Sequence, residues 1–364
     1  MKPKSGALVV LTPAFPAEES ETHWVPTQQL LVKNLKRCRP DLTIVVLSFY
    51  YPGRSSGYEW EGIPVHSFDG QRNRKVRRPF FWLAVWRKLN RIRKEQEVIG
   101  ILSFWCGECA LVGHYFGRRY AIPHFCWICG QDARKSNKLV RWIRPRAEEL
   151  IAMSDFLVKE FETNHGIRPR YRIPNGIDPG RFPSIEGQGF GAEERDIDIL
   201  GAGSLSRLKQ YDRFVEVVGA LRHSLPGIRS LLCGEGEDRS KIESAIKSAG
   251  LEETIRLTGE LPHEEVLRLM RRARIFLHTS GYEGFGVVCL EALYAGAQVI
   301  SFNQPMQSPI PRWHIVPDMA AMFHKAMEIL SDQNQEYAPV LPYTMEDSAR
   351  AILELFETGG RTEG

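Results

Sequence analysis

The stretch that decides the fold lies at residues 274–302. It reads Arg274-Ile-Phe-Leu-His278, Thr279-Ser280, Gly281-Tyr-Glu-Gly-Phe-Gly-Val-Val-Cys-Leu-Glu-Ala-Leu-Tyr-Ala-Gly296, Ala297 and Gln298-Val-Ile-Ser-Phe302. Two short apolar runs enclose a segment that predicts a helix ending at Gly296, because glycine commonly follows a helix C-terminus. A strand, a glycine-containing loop, a helix and a second strand form the repeating unit of a parallel α/β sheet.

The same alternation runs through most of the 364 residues, a length that suits two domains. We expect an α/β fold with two Rossmann-like, doubly wound domains that bind ligand in the cleft between them. A turn-rich run, Arg172–Pro183, indicates the boundary. The predicted domains are residues 1–178, residues 179–342, and a C-terminal helix and tail at 343–364 that docks back on the first domain. Helices are also predicted over Pro26–Arg37, Glu108–Tyr120 and Pro145–Met153.

Composition indicates a soluble globular protein, with 43% hydrophobic and 25% charged residues and a net charge of +4. The first apolar run ends at Thr12-Pro13, which is too short for a secretory signal, and no apolar run approaches the length of a membrane span. Seven cysteines, an odd number, argue against a disulfide framework. We therefore expect a cytoplasmic protein.

The loop after Arg274–His278 has the features of an anion site. Gly284 and Gly286 let the backbone approach a ligand, and the N–H groups from Gly286 onward begin the helix. Glu283 and Glu291 flank this site, which suits a ligand with hydroxyl groups on both sides of its phosphates, as a sugar nucleotide has. The alternative is a glycine-rich turn with two solvated glutamates.

Several motifs together resemble those of retaining GT-B glycosyltransferases of the GT4 type. The stretch Glu283–Gly296 resembles that family's E-x7-E region, and Ile173–Phe182 resembles its interdomain turn. The segments Gly203–Lys209 and Gly234–Glu237 resemble the first two loops of its C-terminal domain. The resemblance extends over most of the chain.

The resemblance implies roles for individual residues. It implies a catalytic set of Glu283, Asp132 and Lys209, and a donor-binding set of Gly203, Ser204, Arg207, Phe285, Gly286, Val287 and Glu291. It further implies a UDP- or GDP-sugar as substrate, transfer to a sugar or lipid-linked acceptor, and no cofactor or metal. Fixed cations such as Lys209 and Arg207 would stabilise the charge that develops on the leaving diphosphate. We expect a role in cell-surface polysaccharide or glycolipid synthesis.

The chain departs from the family pattern at several positions. Ser204 replaces an arginine that many relatives have, and Arg207 is the nearest substitute. Cys129-Gly-Gln-Asp132 replaces a histidine-containing motif, which leaves Asp132 as the polar candidate. Among the histidines of the chain, His23 in the first loop is the one to test. Two further functions stay open: a sugar-nucleotide 2-epimerase of the same architecture, and a non-catalytic or zinc-stabilised sugar-nucleotide-binding protein.

Three other motifs would indicate a metal site or a dinucleotide site. Cys106, Cys109, Cys126 and Cys129 have the spacing of a four-cysteine zinc site, although cysteines three apart in a strand point to opposite faces. Gly201-Ala-Gly203 is a partial dinucleotide fingerprint, and Asp196-Ile-Asp198 is a weak metal motif because it opens a strand. Buried cysteines and metal-independent transfer are the favoured interpretations.

The segment Arg72–Lys94 contains ten Lys or Arg residues, no acid, and four aromatic residues. This composition suits a membrane surface or a lipid-diphosphate acceptor. A solvated basic helix with its aromatic side chains in the core is the alternative. Nucleic acid is less favoured, because no binding motif accompanies the charge.

Overall fold

The computed structural model describes residues 6–21, 25–70, 78–182 and 195–358. The chain divides into two compact units, Met1–Asn175 with Met345–Gly364, and Gly176–Thr344. These bounds lie within three residues of the predicted ones.

The first unit is built on an eight-stranded sheet with the order β3-β4-β2-β1-β5-β6-β7-β8, in which β3 alone runs antiparallel to its neighbour. The chain leaves the central strand β1 in one direction and then returns to its other side with β5. Its elements are β1 (Ala7–Ala14), α1 (Pro26–Cys38), β2 (Thr43–Tyr51), β3 (Ser55–Trp60), β4 (Ile63–Phe68), α2 (Arg78–Glu95), β5 (Val98–Phe104), α3 (Glu108–Tyr120), β6 (His124–Ile128), α4 (Val140–Ile143), β7 (Leu150–Ala152), α5 (Asp155–His165) and β8 (Tyr171–Arg172).

The second unit has a six-stranded parallel sheet with the order β11-β10-β9-β12-β13-β14. The strand order reverses between β9 and β12, so the loops that follow these two strands lie side by side at the carboxyl edge. Its elements are β9 (Ile197–Ala202), α6 (Tyr211–Ser224), β10 (Ser230–Cys233), α7 (Arg239–Ser248), β11 (Ile255–Gly259), α8 (His263–Arg272), β12 (Ala273–His278), α9 (Val287–Tyr294), β13 (Gln298–Ser301), β14 (Trp313–Ile315) and α10 (Met319–Ser331).

The last helix, α11 (Met345–Glu357), packs against α1 in the first unit. The ring of Phe356 lies against the ring of Phe125 and fills the space above Gly100, where a Cβ atom would collide with it. The amphipathic pattern of this helix is thus explained by burial of one face on the first sheet.

One predicted element is wrong. The helix expected over Pro145–Met153 is a short 3-10 turn at Ala147–Glu149 followed by strand β7. Leu150, Ile151 and Ala152 are fully buried, and β7 pairs with β6 on one side and β8 on the other. A three-residue apolar run has no periodicity that separates a buried strand from a helix.

Candidate functional site

The loops after β9 and β12 bring together two of the predicted catalytic residues. Lys209 lies between β9 and α6, Glu283 lies between β12 and α9, and Lys209 Nζ is 2.7 Å from Glu283 Oε2. Two further bonds join these loops, because Thr279 Oγ1 donates to the carbonyl of Lys209 at 2.8 Å and the Gly281 N–H donates to that of Leu208 at 3.0 Å. The ion pair is therefore held by a fixed backbone arrangement at the switch point of the sheet.

The environment of Glu283 keeps its carboxyl group ionised. Ser280 Oγ donates to Oε2 at 3.3 Å, and Nε2 of the buried His278 lies 3.4 Å from the same oxygen. Burial raises the pKa of Glu283, but the hydrogen bond from His278 and the charge of Lys209 outweigh it and lower that pKa to about 2. Burial also lowers the pKa of His278, which favours the neutral imidazole. Glu283 is thus an acceptor for hydroxyl groups.

The glycine-containing loops after β9 and β10 approach each other closely beside this ion pair. Gly203 follows β9 with φ 148°, and Gly234 follows β10 with φ 136°, in a region that side chains rarely adopt. A Cβ atom on Gly234 would collide with the carbonyl oxygen of Gly203. Leu205 then donates its N–H to the Glu235 carbonyl at 2.8 Å. The glycines predicted from sequence are therefore required for the close approach of two loops.

The start of α9 has the geometry of an anion site. Gly286 precedes the helix in the left-handed conformation, with φ 87°, and Val287 is the first helical residue. The first N–H groups of a helix have no intrahelical acceptor. The Phe285 side chain is buried against Trp313 and Tyr343 within the same unit, and this packing holds the loop that precedes α9 in place.

Glu291 has a partner that the sequence did not indicate. His263 Nε2, at the first residue of α8, lies 2.9 Å from Glu291 Oε1. No motif marks His263, whose proximity to Glu291 results from the packing of α8 against α9. Both side chains keep some exposure, 33% for His263 and 17% for Glu291.

The remaining donor-site candidates lie on the surface of the loop after β9. Ser204 and Arg207 are exposed, and Ser204 Oγ is 3.4 Å from Ser206 Oγ. Within the described part of the chain, the Arg207 guanidinium has no hydrogen-bond or ion-pair partner. Arg207 is thus available to an anion, unlike Lys209, which already contacts Glu283.

Asp132, the third predicted catalytic residue, belongs to the first unit and is buried at the ends of β5 and β6. Oδ2 accepts from the Cys106 N–H at 2.8 Å, and Oδ1 accepts from those of Gly130 at 2.7 Å and Cys129 at 3.2 Å. Burial raises the pKa of Asp132. A carboxylate with both oxygens on backbone amides shapes the loops that it joins. The predicted catalytic role of Asp132 stays a prediction.

The four cysteines with the spacing of a zinc site are not gathered into a metal-binding group. Across the residues that the structure describes, no three His, Cys, Asp or Glu side chains are grouped so that they could hold a metal ion. Cys106, Cys109 and Cys126 are buried, and burial raises the pKa of the Cys109 and Cys126 thiols. The Asp196-Ile-Asp198 motif lies at the opposite end of β9, where both aspartates pair with arginines.

Helix α2 turns most of its aromatic side chains inward. Phe81 contacts Phe49 and Phe68, and Trp86 contacts Phe116. Trp82 Nε1 donates to the buried Glu108 at 2.9 Å. Phe80, 72% exposed, and Leu83, 42% exposed, remain on the outer face with several basic residues. Residues 72–77 and His23 lie outside the described residues.

Comparisons with solved structures define the fold. The chain superimposes on Anabaena HepE in complex with UDP and glucose with a TM-score of 0.64, at 15% identity over 95% of this chain and 94% of that one. It also superimposes on sucrose-phosphate synthase from Thermosynechococcus elongatus with a TM-score of 0.67, at 14% identity over 98% and 97%. The fold is GT-B, as the motifs predicted.

A family model also matches part of the chain. Residues 186–336, which lie in the second unit, match the family model for glycosyl transferases group 1. A relative in Mycobacterium tuberculosis, a glycogen synthase, is 30% identical over 188 residues, which are 50% of this chain and 43% of the relative. The chain thus spans less than half the length of this curated relative.

Proposed function

We propose that this protein is a retaining, metal-independent glycosyltransferase that moves a sugar from a nucleotide-sugar donor to an acceptor hydroxyl. One observation carries the proposal: the Lys209–Glu283 ion pair stands at the switch point of a doubly wound sheet, next to the start of α9. A cation for phosphate, an ionised carboxylate for hydroxyls and free helix amides are the groups that a nucleotide sugar needs. The family match to this unit supports the same proposal.

Each residue has a distinct part in the proposed reaction. The amides from Phe285 to Val287 hold the diphosphate, and Lys209 with Arg207 neutralises the charge that it gains as the glycosidic bond breaks. Glu283 accepts hydrogen bonds from sugar hydroxyls, and Glu291 accepts them from the ribose. Ser204 and Gly203 line the donor-binding site. Because Glu283 is ionised at neutral pH, its part is binding and charge stabilisation, and it donates no proton.

The proposal assigns the acceptor proton to the leaving diphosphate, on the same face of the sugar. This route needs no strong protein base and retains the anomeric configuration. It also needs no cofactor or metal, since Lys209, Arg207 and the helix amides provide the positive charge. The acceptor is a sugar or a lipid-linked sugar, and Asp132 is the candidate on the acceptor side. We place the enzyme among GT4-type proteins of polysaccharide or glycolipid synthesis.

A donor screen tests the proposal. Thermal unfolding is measured with UDP-, GDP- and ADP-sugars, and the stabilising donor is then incubated with an acceptor panel in EDTA. We expect a UDP- or GDP-sugar to stabilise the protein, and NMR to show a product with the donor's anomeric configuration. An inverted product, a requirement for metal, or epimerisation of the donor without acceptor would each contradict a part of the proposal.

We also propose a cytoplasmic protein that contacts the membrane through α2. Phe80 and Leu83 are exposed one helical turn apart, and Arg78, Arg87 and Lys94 are exposed on the same helix. No helix within the described ranges joins the length and the apolar character that crossing a bilayer requires. Co-sedimentation with vesicles tests the contact. Binding should require anionic lipid and fall in Phe80→Ser/Leu83→Ser, and equal binding of this variant would refute it.

A further inference from the structure

A surface cavity of about 530 Å³ lies in the first unit, between α3 and α4. Its volume is in the range of small-ligand sites. None of the sequence motifs or proposed donor residues falls in it. It is lined by Tyr115, Arg118, Arg141, Trp142, Ile143 and Arg144.

The charged residues that line this cavity are all positive. Arg118, Arg141 and Arg144 are exposed and, among the described residues, form no ion pair. Residues 133–146 contain six Lys or Arg and no acidic residue. Glu149, a buried acid that follows this stretch in the sequence, is engaged by His114 and Arg146. Three guanidinium groups without a counter-charge attract an anion, and their planar N–H groups suit carboxylate, sulfate or phosphate oxygens.

The cavity also presents two aromatic rings to solvent. Trp142 is 72% exposed and Tyr115 is 48% exposed, although large apolar side chains are normally covered. Tyr115 Oη donates to the Trp142 carbonyl at 2.7 Å, which joins α3 to α4. Arg144 ends α4 in the left-handed conformation and donates from Nε to the Arg141 carbonyl at 3.4 Å. Arg141, Trp142 and Arg144 are thus positioned by α4 and its C-terminal residue, and Tyr115 and Arg118 by α3.

We propose that this cavity binds an anionic saccharide. The arginines contact its carboxylate, sulfate or phosphate groups, and the Trp142 and Tyr115 rings lie against the apolar face of a sugar ring. The anion part of this inference stands on the arginines alone. The saccharide part rests on the proposed function, because a glycosyltransferase with an acidic acceptor gains affinity from a second contact on the acceptor chain.

Binding measurements on the full chain test the inference. The probes are fluorescently labelled hexagalacturonate and, as a neutral match, labelled maltohexaose. The variants are Arg118→Gln/Arg141→Gln and Trp142→Ala, and the control is Arg119→Gln, which removes an exposed charge on the same helix outside the cavity. We expect hexagalacturonate to bind at least tenfold more tightly than maltohexaose, and the double variant to lose at least tenfold in affinity. Trp142→Ala should weaken binding of the acidic probe, and Arg119→Gln should leave it unchanged.

Three results would overturn the inference: equal affinity for the acidic and neutral probes, an unchanged affinity in the double variant, or an equal loss in the control. Anionic phospholipid vesicles are a third probe, and a double variant that loses vesicle binding but keeps hexagalacturonate binding assigns the cavity to lipid and also overturns it. Stabilisation by UDP is measured in parallel on every variant. If a variant loses binding of the acidic probe but is still stabilised by UDP, the defect lies in this cavity. If neither UDP nor GDP stabilises the unchanged protein, the proposed function is refuted.

Discussion

At the scale of single residues, the Lys209–Glu283 pair gives the sharpest prediction. Lys209→Ala and Glu283→Ala should each lower kcat/KM by about 100-fold or more, because each removes a fixed charge from a site where charge develops. Each variant also removes the ion pair that lowers the pKa of Glu283, so the free energy of unfolding should fall while the protein stays folded. Steady-state kinetics and urea unfolding measure the two effects. Lys241→Ala, which removes an exposed lysine paired with Asp212, is the control and should keep full activity. Full activity in both site variants would refute the donor assignment.

A second residue-scale prediction concerns His124. Its imidazole is buried, with Nε2 2.9 Å from Ser103 Oγ, and burial lowers its pKa to about 3, against a smaller opposing effect of Glu149. The unfolded state binds a proton near pH 6.5, and the folded state does not. The contribution of His124 to the free energy of unfolding should therefore be constant above pH 6.5 and fall by about 1.4 kcal/mol per pH unit below it, down to about pH 3.

His124→Gln keeps a polar side chain and removes the titration. Urea unfolding at pH 7 and pH 5 compares this variant with the unchanged protein. The unchanged protein should lose about 2 kcal/mol more than the variant over this interval. An identical loss in both proteins would show that other groups cause the acid sensitivity.

Residue types at motif positions could be predicted, but their partners could not. Glu283, Lys209 and Gly286 follow from strand ends, glycine spacing and family resemblance, and the structure places Glu283 against Lys209. His278 beneath Glu283 and His263 beside Glu291 carry no local signal, because each contact depends on how a strand end or helix packs. The backbone contacts of Asp132 arise for the same reason from the meeting of two loops.

At the scale of elements, the glycine loops after β9 and β10 give a third prediction. Gly234→Ala forces a side chain into a positive φ and into the Gly203 carbonyl, so the two loops must separate. We expect a loss of about 1–3 kcal/mol of unfolding free energy and weaker UDP binding. Gly227→Ala is the matched control, since a Cβ atom there meets no other atom within 4 Å. Comparable behaviour of the two alanine variants in denaturation and UDP titration would contradict this account.

The docking of α11 gives a fourth prediction. Phe356 is buried against Phe125 and Gly100, so Phe356→Ala should lower the free energy of unfolding by about 3–5 kcal/mol. Glu354→Ala, on the exposed face of the same helix, should change it by less than about 0.5 kcal/mol. Chemical denaturation measures both. If Phe356→Ala matched Glu354→Ala, the contact with the first sheet would contribute nothing to stability.

Elements with a long, regular hydrophobic pattern were predicted well. The short strand β7 and the division of α2 into buried and exposed faces were not. Helices α1 and α3 have thirteen residues each and the expected bounds within a residue. Strand β7 has three residues, and it is a strand because it pairs with β6 on one side and β8 on the other. In α2, composition alone could not tell which aromatic rings face inward, because the partners of Phe81 and Trp86 come from three other elements, β2, β4 and α3.

At the scale of the whole molecule, both units follow one topological rule. In each sheet the chain runs outward from a central strand and then returns to its other side, next to β1 in the first unit and next to β9 in the second. Loops from neighbouring strands therefore meet at one edge, and a ligand-binding position arises without any special sequence. Among the residues that the structure describes, only the second unit brings together a cation, an ionised glutamate and a helix start.

This arrangement predicts where a bound nucleotide changes the protein. Hydrogen exchange is measured with and without saturating UDP, and protection should be strongest in peptides covering 203–210 and 281–291, because the nucleotide orders those loops and occupies their amides. UDP at 100 times its Kd adds about 2.7 kcal/mol to the stability of the state that binds it. Glu291→Gln should keep the pattern but reduce the protection, since it removes a charge predicted to accept ribose hydroxyls. Protection confined to peptides of the first unit would place the nucleotide elsewhere and remove the basis for the donor site.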